Sequence, residues 1–266
     1  MRTRLNPDLL PSQRAGETLG IQMDLDLDRI TQPLRLARGS HRAGSSKGCA
    51  MNLISYINGD EHITDFPATS ARPLAAFVQF CNDQLAGPDG YLSPKDGMVA
   101  LDLGWLTVGT AEFSDSALHS GVMHSWVAEL LVSPRWGVVQ YVKNPAAQVV
   151  IADIAELHRR LIPDATPSIA DWDSAARAAR AISKTLSRAE LYALRAALQS
   201  TTLVDADDWT TLDAVAGNGI RAHRLASLDF GEVSIVEITR HAVQSWRRLA
   251  GLSVRSDASV PVGVAA

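Results

Sequence analysis

Residues 38–67 read RGSHRAGSSKGCAMNLISYINGDEHITDFP, and this stretch holds one of the two cysteines and two of the seven histidines of the chain. A Gly/Ser-rich loop leads into the segment Cys49–Ile57, in which Met51 and Ile54 have helical spacing. The pair Asn58-Gly59 favours a left-handed turn at the end of that segment. The stretch therefore predicts a loop, a short helix and a polar return.

The composition is that of an ordinary globular protein. The chain has 266 residues, of which 46% are hydrophobic and 20% charged, enough for one large domain or two small ones. A formal net charge of −4 provides no overall positive field, which disfavours nucleic acid as a partner. Two cysteines without a signal-peptide pattern predict a cytoplasmic protein with no disulfide framework. No apolar run has the length of a membrane span, so we expect no membrane association.

The pattern along the chain predicts a mainly α fold with a few short strands. The N-terminal part is expected to be α+β and the C-terminal part an alanine-rich helical bundle. We predict a flexible arm at 1–20, a mixed, mainly helical domain at 21–163, the helical bundle at 168–252 and a disordered tail at 253–266.

Apolar periodicity and capping residues give the individual elements. Ser187 and Glu190 form a capping-box pattern at the start of one helix. Helices are predicted at 49–57, 73–85, 116–132, 145–161, 171–185, 188–199, 208–226 and 232–250. Strands are predicted at 21–28, where apolar and acidic residues alternate, at 99–103 and at 136–142.

The glycine-rich loop matches a phosphate-binding loop in part. The segment Gly39-Ser-His-Arg-Ala-Gly44 has the glycine spacing, but Ser45-Ser46 stands where the nucleotide loop needs Lys and Ser/Thr. A weaker anion- or ligand-binding site at the helix N-terminus stays open, and the alternative is a flexible connector with a solvated lysine. The residues of that site would be Ser40, His41, Arg42 and Lys47.

Cys49 is the candidate nucleophile of the same stretch. The helix dipole and the basic residues before Cys49 would lower the pKa of its thiol. His41 or His62 would then act as a base and Asp65 would orient it. The competing interpretation is a small, buried helix residue, because free cysteine is among the most buried residue types.

The same side chains have the chemistry of zinc ligands. His41, Cys49, His62 and Asp65 are the metal candidates, but their spacing is not that of a zinc finger or ribbon. No cofactor is predicted. The other histidines are interpreted as ordinary helix residues; His158 and His241 are placed near helix C-termini, where a positive charge complements the dipole. The six tryptophans are spread along the chain and are expected in the core or at interfaces.

Several short motifs resemble a group of uncharacterised proteins of actinobacteria and their bacteriophages. The shared features are a Gly-Ser-His loop, a Cys-x-Met helix start and an Asp-x-Pro turn, and the resemblance covers roughly residues 25–160. It implies an intracellular protein of bacterial or phage origin, and it makes His41, Cys49 and Asp65 the site candidates without assigning a reaction. The motifs are Asp28–Pro33, Gly39–His41, Gly48–Met51, Thr64–Pro67, Arg72-Pro73, Asn82-Asp83, Leu101–Gly104 and Val108–Thr110.

Two hypotheses about function follow. The first is an intracellular binding or regulatory protein that uses a surface around residues 38–67 and engages a protein partner or a second copy of itself. The alternative is a small cysteine- or metal-dependent enzyme built on His41, Cys49, His62 and Asp65. The enzyme hypothesis requires these side chains to converge in space.

Overall fold

The computed structural model describes residues 35–39, 47–113, 115–161, 166–183, 186–203, 208–230 and 234–252. Within these ranges the chain is mainly α-helical, as predicted, with one pair of short strands. The strands are β1 (Arg35–Leu36) and β2 (Lys47–Gly48). The helices are α1 (Ala50–Ile57), α2 (Arg72–Leu85), α3 (Pro94–Thr107), α4 (Ser116–Val132), α5 (Pro145–Arg160), α6 (Ile169–Ile182), α7 (Arg188–Ser200), α8 (Trp209–Phe230) and α9 (Ile235–Leu249). The predicted arm at 1–20, the predicted strand at 21–28 and the predicted tail at 253–266 lie outside the described residues.

Side-chain caps explain where several helices begin. Asp115 and Asn144 accept hydrogen bonds from the first turns of α4 and α5, and serine caps precede α3, α6 and α9. The predicted capping box at the start of α7 is present, with the Ser187 N–H donating to Glu190 at 2.9 Å. The same carboxylate accepts from the N–H groups of Lys143 and Asn144. Glu190 therefore fixes the start of α7 against the turn before α5.

The two strands form a parallel pair in which Arg35 is opposite Lys47 and Leu36 is opposite Gly48. The N–H of Leu92 donates to the carbonyl of Leu36 at 2.9 Å, so the loop before α3 is attached to β1. This pairing places the residue after β2, Cys49, at the buried start of α1.

Two predicted strands are wrong. Residues 99–103 lie in the middle of α3, which begins with the Ser93 cap and Pro94 at its first position. The buried residues Ala100, Leu103 and Thr107 follow the 3.6-residue period, which the short alternation at 99–103 obscured.

Residues 136–142 were the other predicted strand, and Val138–Tyr141 form a 3₁₀ helix there. The Gly137 N–H donates to the carbonyl of Ser133, and a Cβ on Gly137 would lie 2.3 Å from the Ser133 nitrogen. The chain therefore turns tightly at the end of α4, and β-branched content alone did not reveal that turn.

The buried apolar residues form two clusters. The small cluster includes Leu36 of β1, Met51 and Ile54 of α1, Val78 of α2 and Leu103 of α3. The large cluster is built from α2, α4, the 3₁₀ helix and α5 to α9. Helices on both sides of residues 162–165 contribute to it, so the large cluster extends across the predicted domain boundary. Helix α2 contributes to both clusters and packs between them.

Three tryptophans lie at the centre of the large cluster. Trp126, Trp136 and Trp246 are almost completely buried, and the rings of Trp126 and Trp136 lie nearly perpendicular to the Phe77 ring at centroid distances of 6.0 and 6.2 Å. The Trp126 indole N–H donates to the carbonyl of Ala242 at 2.9 Å, and that of Trp246 to the carbonyl of Thr110 at 3.1 Å. The polar edge of each of these two rings therefore has a partner, as buried indoles require. In the part of the chain described above, no helix is both long enough and apolar enough to span a membrane.

Candidate functional site

Cys49 lies at the N-cap of α1 inside a network of amide hydrogen bonds. Its backbone N–H donates to the side-chain oxygen of Asn52 at 2.9 Å, and its thiol donates to Asp65 at 3.5 Å. The Asn52 amide donates to the same oxygen of Asp65 at 2.8 Å. On the opposite side, Asn82 accepts from the Ala50 N–H and donates to the carbonyl of Ala37. These contacts connect β1, α1, α2 and the Asp65 turn.

The electrostatics of Cys49 are opposite to those of an activated thiol. Burial, followed by the nearby negative charge of Asp65, raises the pKa of the Cys49 thiol to about 12. The side chain is 1% exposed, and the thiol acts as a donor to a carboxylate. The predicted lowering of this pKa is therefore wrong. The structure instead matches the competing interpretation of a buried helix residue.

The structure brings together only some of the predicted site residues. Cys49 and Asp65 are in contact, whereas His62 is exposed and forms no hydrogen bond with either of them. No group of three metal-ligating side chains occurs among the residues that the structure describes. The metal set therefore does not form from Cys49, His62 and Asp65. His41, with Ser40 and Arg42, lies outside the described residues.

Lys47 is the described member of the predicted anion site. It lies in β2, with its ammonium 5.0 Å from the centre of the Tyr91 ring. The Arg35 guanidinium is 4.2 Å from the same centre and also pairs with Asp89. The two cations therefore share one aromatic ring, an arrangement that stabilises the loop at Tyr91 against β1 and β2.

Buried histidines form a feature that the sequence analysis missed. His124 and His158 face each other with 2.9 Å between their Nδ1 atoms, and the other nitrogen of His158 is 2.9 Å from the Ser200 hydroxyl. His223 contacts the Tyr141 hydroxyl at 3.0 Å. These three histidines and Ser200 are almost completely buried, so the row of Ser200, His158 and His124 is sealed from substrate.

Burial keeps these imidazoles neutral. It lowers the pKa of His124 to about 4 and that of His223 to about 3, and together with the neighbouring His124 it lowers the pKa of His158 well below its usual value. The prediction that His158 complements a helix dipole with positive charge is therefore wrong. Its partners come from α4 and α7, at sequence separations of 34 and 42 residues.

A surface cavity of about 530 Å³ lies where α2, α4 and α8 begin. We call it the aromatic groove and define it by the lining residues Phe66, Arg72, Phe113, His119 and Trp209. The first of these belongs to the stretch 38–67. The others come from the first turns of the three helices and from the loop before α4, so tertiary packing alone assembles the groove.

The rings of the aromatic groove are held in place by one another. Phe113 stacks on the His119 imidazole with centroids 4.3 Å apart, and Trp209 lies 5.3 Å from His119 on another side. The Arg72 guanidinium is 4.4 Å from the centre of the Phe66 ring and pairs with Asp213 at 2.9 Å. The groove therefore presents several fixed, partly exposed aromatic surfaces beside a cation.

Comparison with known proteins identifies no relative of this chain. No protein-family model matches the chain, and neither the curated proteins nor the solved structures contain a significant match.

Proposed function

We propose that this protein is an intracellular binding protein that recognises a protein partner through the aromatic groove. The observation that carries the proposal is the grouping of Phe66, Phe113 and Trp209, all half-buried, with Arg72 around one surface cavity. Aromatic residues and arginine are the side chains most enriched at the energetic centres of protein interfaces. The cavity is large enough to receive one or two side chains of a partner.

The position of the groove supports the same proposal. Its walls are loops and first helical turns supported by the large cluster, and binding residues commonly lie on loops that a rigid scaffold positions. The groove borders the stretch 38–67, which was the expected surface. Both cysteines are unpaired and buried, which suits a reducing cytoplasm. The resemblance to actinobacterial and phage proteins is consistent with that location.

The enzyme alternative lacks support in the described residues. It required an activated Cys49, or a metal held by His41, Cys49, His62 and Asp65. The thiol of Cys49 is buried and has a raised pKa, and no group of three metal-ligating side chains occurs in the described part of the chain, which does not include His41.

Selection from a random peptide-display library tests the proposal without a known partner. Peptides enriched on the native protein are synthesised with a fluorescent label, and their affinities are measured by fluorescence anisotropy. We expect Trp209→Ala and Phe113→Ala each to weaken binding by about tenfold or more, the effect of removing an interface hot spot.

Trp172→Ala is the matched control, because Trp172 is also half-buried but packs on His158 away from the groove. It should leave peptide affinity unchanged, and circular dichroism should show that all three variants fold. The proposal fails if no peptide is enriched, or if the enriched peptides bind the groove variants as tightly as the native protein. A dimer in sedimentation velocity that Trp209→Ala dissociates would instead identify a second copy as the occupant.

A further inference from the structure

A second cavity, of about 600 Å³, lies between the C-terminal ends of α4 and α5 and the later turns of α9. Helix α4 packs against both of the other helices, so the walls of this cavity are fixed by the large cluster. We call it the cationic cavity and define it by six lining residues. These are Glu129, Arg135, Trp136, Arg159, His241 and Arg248.

Positive charge exceeds negative charge around this cavity. Three arginines line it, whereas Glu129 is the single carboxylate among its described lining residues. Both oxygens of Glu129 are already occupied, one by the Arg248 guanidinium and the other by the Ser245 hydroxyl. Glu129 therefore neutralises Arg248, and the described lining residues provide no second carboxylate for Arg135 and Arg159.

Few negative charges outside the cavity compensate the positive charges of Arg135 and Arg159. Arg159 is 3.5 Å from Glu156, one turn earlier on α5, and both side chains are at least half exposed, so this pair is weak. Arg135 has no carboxylate partner among the described side chains. The cavity thus concentrates positive charge on a protein whose formal net charge is −4.

The lining of the cavity also includes apolar surface. The partly buried Val132 and the exposed Pro134 contribute to it, and Trp136, which is only 2% exposed, lies beneath them. Helix C-termini favour basic residues, and this explains why arginines occur at the ends of α5 and α9. It does not explain why such residues surround one concavity that also has an apolar wall. A site with this combination suits a ligand that has an anionic head and an apolar body.

We propose that the cationic cavity binds a small organic anion, with its carboxylate or phosphate held by Arg135 and Arg159 and its apolar part against Val132 and Pro134. Guanidinium groups bind both kinds of head through paired, charge-assisted hydrogen bonds. This site is separate from the aromatic groove and does not depend on the proposed protein partner.

Four probes separate the contributions of charge and apolar contact. They are phenyl phosphate, benzoate, inorganic phosphate and the neutral benzyl alcohol. Binding is measured by calorimetry and by ¹⁹F NMR of protein labelled with 5-fluorotryptophan, in which Trp136→Phe assigns the resonance from the cavity. We expect phenyl phosphate or benzoate to bind and shift that resonance, and the tighter of the two identifies the natural head group.

Substitution of the arginines then tests whether the probe binds in the cationic cavity. We expect Arg135→Gln and Arg159→Gln each to weaken the bound probe by about tenfold or more, as loss of a charged hydrogen bond does. Arg177→Gln is the matched control, because Arg177 is exposed on α6 and does not line the cavity. It should leave the affinity unchanged.

Three results would overturn the proposal. The first is that neither aromatic anion binds at millimolar concentration. The second is that benzyl alcohol or inorganic phosphate binds as tightly as the aromatic anions. Equal binding of benzyl alcohol would show that the charge is not recognised, and equal binding of inorganic phosphate would show that the apolar part is not recognised. The third is that Arg177→Gln weakens binding as much as the cavity variants do. The weaker binding would then follow from the lower net charge of the protein and not from contacts inside the cavity.

Discussion

The two hydrophobic clusters bury polar groups of different kinds. In the small cluster the buried polar side chains include the amides of Asn52 and Asn82, which do not titrate and which bond to the backbone and to Asp65. In the large cluster they include the imidazoles of His124, His158 and His223. Both clusters exclude water at neutral pH. The difference implies that the response of the protein to acid comes from the large cluster.

The largest expected effect is a loss of stability on acidification. The folded state keeps His124, His158 and His223 neutral, with pKa values below the ordinary 6.5. As pH falls below 6.5 the unfolded chain binds protons that the folded chain does not, so the free energy of unfolding decreases. Each such histidine contributes up to about 1.4 kcal/mol per pH unit while its folded form stays unprotonated, so the three together approach about 4 kcal/mol per unit near pH 5. Urea unfolding at a series of pH values measures this slope.

His223→Leu tests whether the slope comes from the buried imidazoles. The variant removes one titrating group, so the slope should fall by about 1.4 kcal/mol per pH unit even if stability at pH 7 changes. His62→Leu is the control, because His62 is exposed. An unchanged slope in His223→Leu would show that the acid response lies elsewhere.

Trp126→Ala should cause the next largest loss, about 3–5 kcal/mol of unfolding free energy. The side chain is fully buried, contacts three aromatic rings and donates a hydrogen bond to Ala242. Trp105→Ala should cost less, because Trp105 is only partly buried where it packs on the small cluster. Equal losses in the two variants, measured by urea unfolding at pH 7, would contradict the central position given to Trp126.

Asn82→Ala should reduce the free energy of unfolding by about 1–3 kcal/mol, since it leaves the Ala50 N–H and the Ala37 carbonyl without this amide. Unlike the acid effect, the loss should be the same at pH 7 and pH 5, because no titrating group is removed. Asn58→Ala, at a partly buried amide that donates to Thr69, is the milder control. If the loss of unfolding free energy in Asn82→Ala became larger at lower pH, the small cluster would also respond to acid, and the two clusters would not differ in this respect.

Two glycine substitutions should give the smallest effects, with opposite signs. Gly59 has a φ of +75° at the end of α1, so Gly59→Ala should destabilise the protein by about 1 kcal/mol. Gly121 lies within α4 with open space around it, and Gly121→Ala should stabilise by about 0.5–1 kcal/mol. Thermal unfolding of the pair measures both, and the same sign for both would contradict this account.

Local signals in the sequence predicted much of the fold. The capping box at Ser187, the turn at Asn58-Gly59 and the apolar periodicity of most helices depend on neighbours within a few residues, and these predictions are confirmed. The predicted strand at 99–103 is wrong because the Ser93 cap and Pro94 start a helix that continues through these residues. The predicted strand at 136–142 was wrong because the tight turn at Gly137 depends on contact with α4.

The sites were less predictable, for a physical reason. Cys49 and Asp65 are 16 residues apart and were named together, but their burial, which sets the pKa of the thiol, depends on the packing of α2 and α3. The aromatic groove and the cationic cavity each combine side chains from helices far apart in sequence. No spacing rule relates Phe66 to Trp209, or Arg135 to Arg248.

The two indole hydrogen bonds to and from α9 have a consequence for the order of folding during synthesis. Trp126 bonds to Ala242 and Trp246 to Thr110, across 116 and 136 residues of chain. At ribosomal rates of about 5–20 residues per second, α4 emerges on the order of ten seconds before α9. Until α9 docks, the ring of Trp126 lacks its contacts with Ala242 and Trp246, so we expect aggregation to compete most strongly with folding during that interval.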